Sequence, residues 1–438
     1  MFQILQRKPN SRDATAAQKR DWTQINADKG RFNQVLICGN LRSSASHFFS
    51  AFSASLWLIS VFLAGAAVTA MAAEHKTFRD PKTGAVIHQL TDHPSINHPT
   101  YFLNSSFTPD GKVVIFTSYR SGSPQLYEKE YPDGTIRQLT SGDAIQAFSA
   151  VMGRDGKEVF FVRKGGIYAL ERATRRERRL AEFPGGQLGE CSLSPDGRWL
   201  TAALKDAQGS GVVLAATNGS DWRVVTRFPR TIIHPQFHPL EPEWIEFSGD
   251  PAPRMHRVRR DGSGLECLYQ HSNDEFIVHE TFLGSTGDLV FVVWPFALKR
   301  MDWKTRRIST IAGFNAWHIT PNRDGAMVLC DTNHPDIGIQ LIDARTGRRR
   351  TICYPQSSNG GTQWKTSRYA VAEDWAAAAQ QQEKSKALSW MEMATDRVYG
   401  PQWTHPHPSF SPDERKIIYA SDVSGHTQVY VAEIPVQK

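Results

Sequence analysis

The sequence lacks charge over one long stretch near its start. Residues 48–73 contain no Asp, Glu, Lys or Arg, and their densest apolar part runs from Leu56 to Met71. About 16 apolar residues are few for a membrane-spanning helix and typical of the core of a secretory signal. The stretch ends in Ala70-Met71-Ala72-Ala73, a small-residue cleavage pattern. We therefore expect a signal peptide over 48–73, with an uncleaved membrane anchor as the alternative, and a periplasmic or secreted protein.

The remainder of the chain lacks an excess of charge of either sign. The 438 residues hold 51 Lys/Arg and 44 Asp/Glu; residues 1–73 contain eight and three of these, which leaves 43 and 41. The basic balance therefore belongs mainly to the leader. We interpret residues 1–47 as a disordered extension or a misassigned start. A nearly neutral domain over 74–438 argues against a nucleic-acid partner, and membrane contact is expected only through the anchor.

Motifs of several common chemistries are also missing. The cysteines at 191, 267, 330 and 353 show no CxxC spacing, so no zinc knuckle or redox pair follows. One sequence leaves open whether they pair as disulfides or remain buried thiols. No G-x-S-x-G elbow supports Ser-His-Asp catalysis. The glycines at 262–264 and 360–362 are interpreted as loop residues, not phosphate cradles.

The sequence shows little helical periodicity and instead repeats a pattern of strands and turns. Only 374–393 is Ala/Gln-rich enough to predict a short helix, in a long connection over 355–399 that could cover one face. Turn signals such as "SPDG" recur near 110, 155, 196, 242, 288, 324 and 413, each between strand-like apolar runs. The intervals are 36–46 residues, apart from a last one of 89 that contains the insertion. Each unit fits a four-stranded sheet.

The repeat predicts an all-β fold, a seven-bladed β-propeller over 74–438. The segment "GAVIHQLTD", 84–92, precedes the first full unit and is predicted to complete the last blade as its outer strand. The repeat period argues against an open β-sandwich. Phrases such as "SPDG" occur in many propellers, including TolB-like ones, so the fold alone implies no function.

Histidines recur at one phase of this repeat. His405 and His407 stand two apart between prolines in "THPHPSF", so an extended strand would point both side chains to one side, about 6–7 Å apart at Cα. Prolines cannot donate to a central ladder, which places the pair at a strand start or edge, and innermost strands start near the channel. Three further histidines precede their own turns by six to nine residues: His234, His279 and His318. His98 follows more loosely, at twelve.

The shared phase predicts a metal or catalytic site at one end of the central channel. Six other histidines lack this phase and are interpreted as structural, surface or loop residues: His93, His238, His256, His271, His334 and His426.

The run "QWTHPHPSFSPDERKIIYASDVSGHTQVYVAEIP" resembles the oligogalacturonate lyases, a propeller family of polysaccharide lyases. The segments "TFRDPKTGAVIHQLTD", "PRMHRVRRDGSG" (253–264) and "HETF" (279–282) resemble other parts of that family. The resemblance covers most of residues 76–435 and is most specific at 402–411. One departure is "FSGDPAPRMH", 247–256, where the family has C-H-E-G-P. We therefore expect different substrate contacts there.

The resemblance implies a role for each matching residue. Gln402, His405, His407 and His318 would bind a divalent metal, manganese in that family. His279 would be the Brønsted base, while Arg254 and His234 would hold substrate carboxylates or assist charge. Ligand type alone would suit zinc, nickel or iron at least as well as manganese.

The function expected from these residues is a metal-dependent lyase that cleaves short oligogalacturonides, such as digalacturonate, by β-elimination. A non-catalytic TolB-like envelope propeller that binds a protein or glycan is the main alternative. A metal-dependent hydrolase or lactonase, which would yield a saturated product, is the third. The resemblance implies a cytoplasmic enzyme whereas the apolar leader predicts export, so the alternatives for the substrate are a different uronide, a different chain length or a methylated substrate.

Overall fold

The structure is a computed structural model, and it describes residues 74–272, 274–333, 335–359 and 402–435. The predicted extension 1–47, the signal or anchor 48–73 and the helix at 374–393 lie outside these residues, as do His334 and nearly all of the 355–399 connection. Among the helices of the described residues, none has the length and apolar character needed to span a membrane.

Seven antiparallel sheets form the seven-bladed propeller that the repeat predicts. Two strands precede the first blade: β1 (Lys76–Arg79) and β2 (Val86–Gln89). Blade one contains β3 (Asn97–Pro99), β4 (Val113–Ser118), β5 (Gln125–Glu130) and β6 (Ile136–Gln138). Blade two contains β7 (Val151–Met152), β8 (Glu158–Arg163), β9 (Gly166–Glu171) and β10 (Arg176–Glu182). Blade three contains β11 (Gln187–Leu193), β12 (Trp199–Asp206), β13 (Gly209–Ala216) and β14 (Trp222–Phe228).

The remaining blades repeat this order from the channel outwards. Blade four contains β15 (Thr231–Phe237), β16 (Trp244–Asp250), β17 (Met255–Arg259) and β18 (Glu266–Cys267). Blade five contains β19 (Ile277–Phe282), β20 (Leu289–Val293), β21 (Ala297–Met301) and β22 (Ile308–Ala312). Blade six contains β23 (Ala316–Pro321), β24 (Met327–Thr332), β25 (Ile339–Asp343) and β26 (Arg349–Cys353). Blade seven contains β27 (Ser409–Phe410), β28 (Lys416–Ser421) and β29 (Gln428–Glu433). Short 3-10 helices cover Gly284–Thr286 and Gln402–Thr404.

The ring closes through its N-terminal strand, as predicted. Strand β2 pairs antiparallel with β29 and places Ile87 opposite Ala432. Strand β1 then adds a fifth strand outside β2. The first strands of the described chain are thereby held against the last one, which closes the ring within one blade.

The repeated turns join the first two strands of each blade. In the turns at Asp110 and Asp196, the carboxylate accepts the backbone N–H two residues further on, at 3.1 Å in both. The glycine that follows each aspartate, Gly111 and Gly197, has φ of 70° and 73°. A left-handed turn position of this kind favours glycine. These turns lie at the ends of the innermost strands, so the starts of those strands meet at the opposite face.

The hydrophobic core lies between neighbouring blades. Side chains alternate along each strand, and each sheet face packs on the next blade. Val290 and Val292 of blade five, for example, pack with Ile319 and Val328 of blade six. The four cysteines of the described residues are free thiols, so packing and not disulfide bonding holds the blades together.

Candidate metal and catalytic centre

The innermost strands of blades three to six share a β-bulge near their starts. In each, two residues face one residue of the neighbouring strand. The bulged pairs are Gly189-Glu190, His234-Pro235, His279-Glu280 and Trp317-His318. A bulge bends a strand and re-aims its side chains. His234 and His279 adopt φ of 56° and 58°, a left-handed conformation in which histidine is enriched among the non-glycine residues.

Three histidines from two blades form a compact buried cluster. His318 comes from the bulge of β23, and His405 and His407 precede β27. One nitrogen from each ring can be chosen so that all three lie within 4.8 Å of one another. A cation bonded to imidazole nitrogens at about 2.1 Å holds them at most about 4.2 Å apart. Small side-chain rotations would therefore close the cluster around one ion.

The nitrogen atoms of this cluster fit a cation. Among the described residues, Nε2 of His318 and Nε2 of His407 are buried and have no hydrogen-bond partner. A buried polar atom without a partner is costly and needs an explanation, and a metal ligand is one. Burial lowers the pKa of both imidazoles well below 6.5, and the other imidazoles of the cluster lower it further. Both rings are therefore neutral near pH 7, the form that binds a metal.

Asp331 orients this cluster from behind. It lies on β24 directly opposite the bulge that carries His318. Its carboxylate accepts from His318 Nδ1 at 2.8 Å and from the backbone N–H groups of His318 at 2.7 Å and His407 at 3.3 Å. Burial raises the pKa of Asp331 to about 7. Because Nδ1 of His318 is engaged with Asp331, Nε2 is left to point at a ligand, the usual arrangement behind a metal-bound histidine.

His279 lies beside the cluster. Its ring centroid is 4.3 Å from that of His318 and 6.2 Å from that of His234. Within the described chain, Nδ1 of His279 is buried without a hydrogen-bond partner. Burial, and then His318, lower the pKa of His279 well below 6.5. The ring is thus a neutral acceptor for a proton next to the candidate metal site.

His234 is tied to two residues that its sequence neighbourhood does not reveal. The Tyr101 hydroxyl lies 2.7 Å from Nε2 of His234, and the backbone N–H of His234 donates to Glu190 at 3.0 Å. Burial lowers the pKa of His234 to about 3 and raises that of Glu190 to about 7. His234 is therefore a neutral, held ring in the same channel.

Aromatic rings from blade one and from the connection to blade two pack against the histidines. Phe102 is fully buried, with its ring 5.2 Å from His318 and 5.5 Å from His279 between centroids. Phe148 lies 5.3 Å from His407 and 4.3 Å from His98. These rings exclude water from one side of the site, which strengthens electrostatic interactions there.

Arg254 is surrounded by carboxylates of its own chain, unlike an arginine that is available to bind a substrate carboxylate. It lies just before β17, buried among acidic groups of the protein. Nε and Nη2 donate to the two oxygens of Glu280 at 2.7 and 3.0 Å, and Nη1 pairs with Asp250. The guanidinium therefore already contacts two carboxylates of its own chain.

Gln402 is half-buried in the short 3-10 helix ahead of the histidine pair. Its backbone carbonyl accepts from the N–H of His405 at 3.1 Å. That contact fixes the chain entering the site, whereas metal binding by its carboxamide stays a prediction.

The structure thus brings together the five in-phase histidines, with His98 at the edge of the group. Residues interpreted as structural make structural contacts: His238 packs on Trp303 at 4.6 Å, and Nε2 of His271 accepts the backbone N–H of Arg254. The sequence reasoning missed Asp331, Tyr101, Phe102, Glu190 and Glu280. For Asp331 and Glu190, the only signal in the sequence was an acidic residue next to an otherwise apolar run, in "MVLCD" and "LGECS".

Comparisons with known proteins agree with the earlier resemblance. A family model described as oligogalacturonate lyase matches residues 221–437, and the TolB beta propeller domain model matches residues 81–248. An oligogalacturonate lyase of Dickeya dadantii is 21% identical over 409 residues, and an oligogalacturonide lyase of Pectobacterium atrosepticum is 19% identical over 404. Both alignments cover 82% of this chain and 96% of the relative.

Solved structures show the same likeness in the fold. An oligogalacturonate lyase in complex with manganese superposes with a TM-score of 0.68 at 20% identity, covering 82% of this chain and 96% of that one. The resemblance carried by the C-terminal motif is therefore confirmed: this chain is similar in sequence and in fold to the oligogalacturonate lyases.

Proposed function

We propose that this propeller is a metal-dependent lyase that cleaves short oligogalacturonides by β-elimination. The observation that carries the proposal is the buried cluster of His318, His405 and His407, with neutral His279 beside it. The relatives named as oligogalacturonate lyases supply the substrate class. With the leader at 48–73, we propose a periplasmic or secreted enzyme.

The metal would be held by His318, His405 and His407, with Gln402 as a fourth ligand. Asp331 would fix the ring of His318. A divalent metal ion bound at these residues would act as a Lewis acid toward the uronate carboxylate and make the neighbouring C5 proton more acidic. We propose Mn²⁺, because a related structure contains manganese, although imidazole ligands also suit other divalent metals.

His279 would take the proton from C5. Its neutral ring is ready to accept a proton at neutral pH. The C5–H electron pair becomes the C4–C5 double bond, and the glycosidic O4 leaves with its bonding pair. The proton that His279 takes from C5 would be returned to O4 through solvent, which leaves the ring neutral again. No water is consumed and no covalent enzyme intermediate forms. His234 would assist by hydrogen bonding to negative charge on the substrate, whereas Arg254, which Glu280 and Asp250 already engage, would position the strand that carries His279.

The test is a direct assay of the purified protein. Digalacturonate with added Mn²⁺ should give a product that absorbs as an unsaturated uronate, and a chelator should abolish its formation. His405→Ala should lose both stoichiometric metal and activity. A saturated product would instead identify a hydrolase. No product with several uronides and divalent metals would refute the proposal.

A binding propeller remains the second candidate because the TolB model matches residues 81–248. Such a protein would purify without stoichiometric metal. It would also keep its affinity for a partner after His279→Ala and His405→Ala.

A further inference from the structure

A polyuronide carries one carboxylate on every sugar, so a lyase of the proposed kind needs cationic groups beyond its metal. Arg254 is the cation to which the family resemblance gives this role, but it already forms salt bridges with Glu280 and Asp250. Two other cations on the same face of the ring, Lys205 and Arg230, form no salt bridge among the described residues and lie at the boundary between blades three and four.

Lys205 lies at this boundary, at the face of the ring where the innermost strands start. It is the second-last residue of β12 and pairs with Gln187, the first residue of the innermost strand β11. Its side chain lies on the same face as that of Ala203, which packs with Ile232 of blade four. Lys205 thus faces the start of β15, three residues ahead of His234.

The ammonium of Lys205 has no partner among the described residues: it makes neither a salt bridge nor a hydrogen bond there. It is nevertheless half-buried, and burial lowers its pKa to about 8. Other part-buried lysines are paired; Lys299, for example, binds Glu275 at 3.2 Å. The adjacent Asp206 is occupied by both terminal nitrogens of Arg227, at 2.7 and 2.9 Å.

A second cation, Arg230, stands directly before β15 at the same boundary. Its guanidinium lies over the Phe228 ring, 5.0 Å from the centroid, and donates to the backbone carbonyl of Pro251. Within the described residues no carboxylate lies at salt-bridge distance from it, and its Nη2 lies 3.4 Å from Nε2 of His256. Burial lowers the pKa of Arg230, and the nearby Asp250, although paired with Arg254, opposes that shift. Both cations are desolvated in part, so an arriving anion would gain more here than at a fully hydrated surface charge.

We propose that Lys205 binds a carboxylate of the uronide chain, on a sugar other than the one held at the histidine cluster, and that Arg230 adds positive potential at the same boundary. This inference rests on the proposed function and names the part of the substrate that blades three and four recognise. It moves the anion-binding role away from Arg254, which becomes a positioning residue for the bulge that carries His279.

The test uses Lys205→Gln, with Lys304→Gln as the matched control. Lys304 is an exposed lysine in the turn between β21 and β22 of blade five, at the face of the ring away from the histidines. Binding of digalacturonate to the Mn²⁺-loaded full chain is measured by calorimetry, and KM and kcat by product absorbance. Loss of one charge-assisted contact should weaken binding and raise KM by about tenfold or more. We expect kcat to change little, Lys304→Gln to behave as wild type, and Lys205→Arg to restore most of the affinity.

The pH dependence gives a readout that a packing role would not. The elements around Lys205 contribute Gln187, Ser210 and Arg230, and Asp206 is held by Arg227. Lysine is charged below its pKa, so wild-type affinity should fall as pH rises through about 8. Lys205→Arg should remain tight there.

The possible failures are distinguishable. If the wild type cleaves digalacturonate and Lys205→Gln binds it equally well, the inference is wrong and the lyase stands. If the wild type binds digalacturonate in a Lys205-dependent way without cleaving it, the lyase proposal fails and the binding site stands. Equal loss in Lys304→Gln would also overturn the inference, since bulk charge would then explain the effect.

Discussion

Replacing Asp331 with asparagine should weaken metal binding at the histidine cluster without dismantling the propeller. The carboxylate accepts three N–H groups, two from His318 and one from His407. Asparagine has nearly the same shape but only one acceptor oxygen. Whichever way its amide turns, the NH₂ group must face an N–H donor of His318, so one contact is replaced by a repulsion.

The magnitude follows from the role of such a partner. Loss of a hydrogen-bond partner behind a metal-bound histidine lowers metal affinity by about 10–100-fold. That range corresponds to about 1.4–2.8 kcal/mol. The two short contacts, at 2.7 and 2.8 Å, lie on His318 itself, so we expect the upper half of the range. The alternative tautomer, with Nε2 protonated, would also become accessible and would compete with the metal.

The assay is a calorimetric titration of Mn²⁺ into the metal-free protein, with urea unfolding measured in parallel. Asp288→Asn is the control, because Asp288 is also a buried carboxylate that accepts from a backbone N–H, at Trp303, but lies in the turn of blade five. It should lose stability and keep its metal affinity. Unchanged affinity in Asp331→Asn, or an equal loss in both variants, would refute the reasoning.

Three further predictions concern the base, the pH and the ring closure. His279→Gln should lower kcat by about 10²–10⁴-fold and leave metal stoichiometry intact; a product-absorbance assay beside elemental analysis checks this, and a loss of metal would contradict it. His98 is buried with a pKa of about 4, so the unfolded chain protonates near pH 6.5 before the folded one does, and stability should fall on acidification. From pH 7.5 to 5.5 this one group removes about 1.3 kcal/mol, and His98→Asn should flatten urea-measured stability over that interval by the same amount. Ile87→Ala in the closing strand should cost about 2–5 kcal/mol in urea unfolding, whereas Phe78→Ala, 45% exposed in the adjacent strand, should cost little; similar costs would argue against closure through β2.

The fold was accessible from local patterns in the sequence. The turn signals, with glycine where φ is positive, recur at a spacing that fits one four-stranded sheet, and this predicts the blades. The segment at 84–92 lacked strands of its own to pair with, which predicted its pairing with the last blade. The fifth strand, β1, was not predicted, because an exposed edge strand carries no alternating apolar pattern.

The arrangement of the candidate site was only partly accessible. The repeat phase selected five histidines that the structure brings together. It gave no sign of the bulges, because a register shift depends on the neighbouring strand and leaves no fixed sequence motif. Asp331 reaches the site from the neighbouring strand of the same blade, opposite a bulge that the sequence does not mark. Tyr101 comes from blade one, 133 residues before His234, and Arg254 meets Glu280 only because blades four and five pack together.

The sequence by itself determined which residues repeat and how many sheets they form. It also determined how far each histidine lies from the turn of its blade, since all of these depend on spacing along one chain. Only the tertiary structure decided which atoms of those histidines meet and which cations keep an acidic partner. Those outcomes depend on distances between blades, which packing sets and local spacing does not.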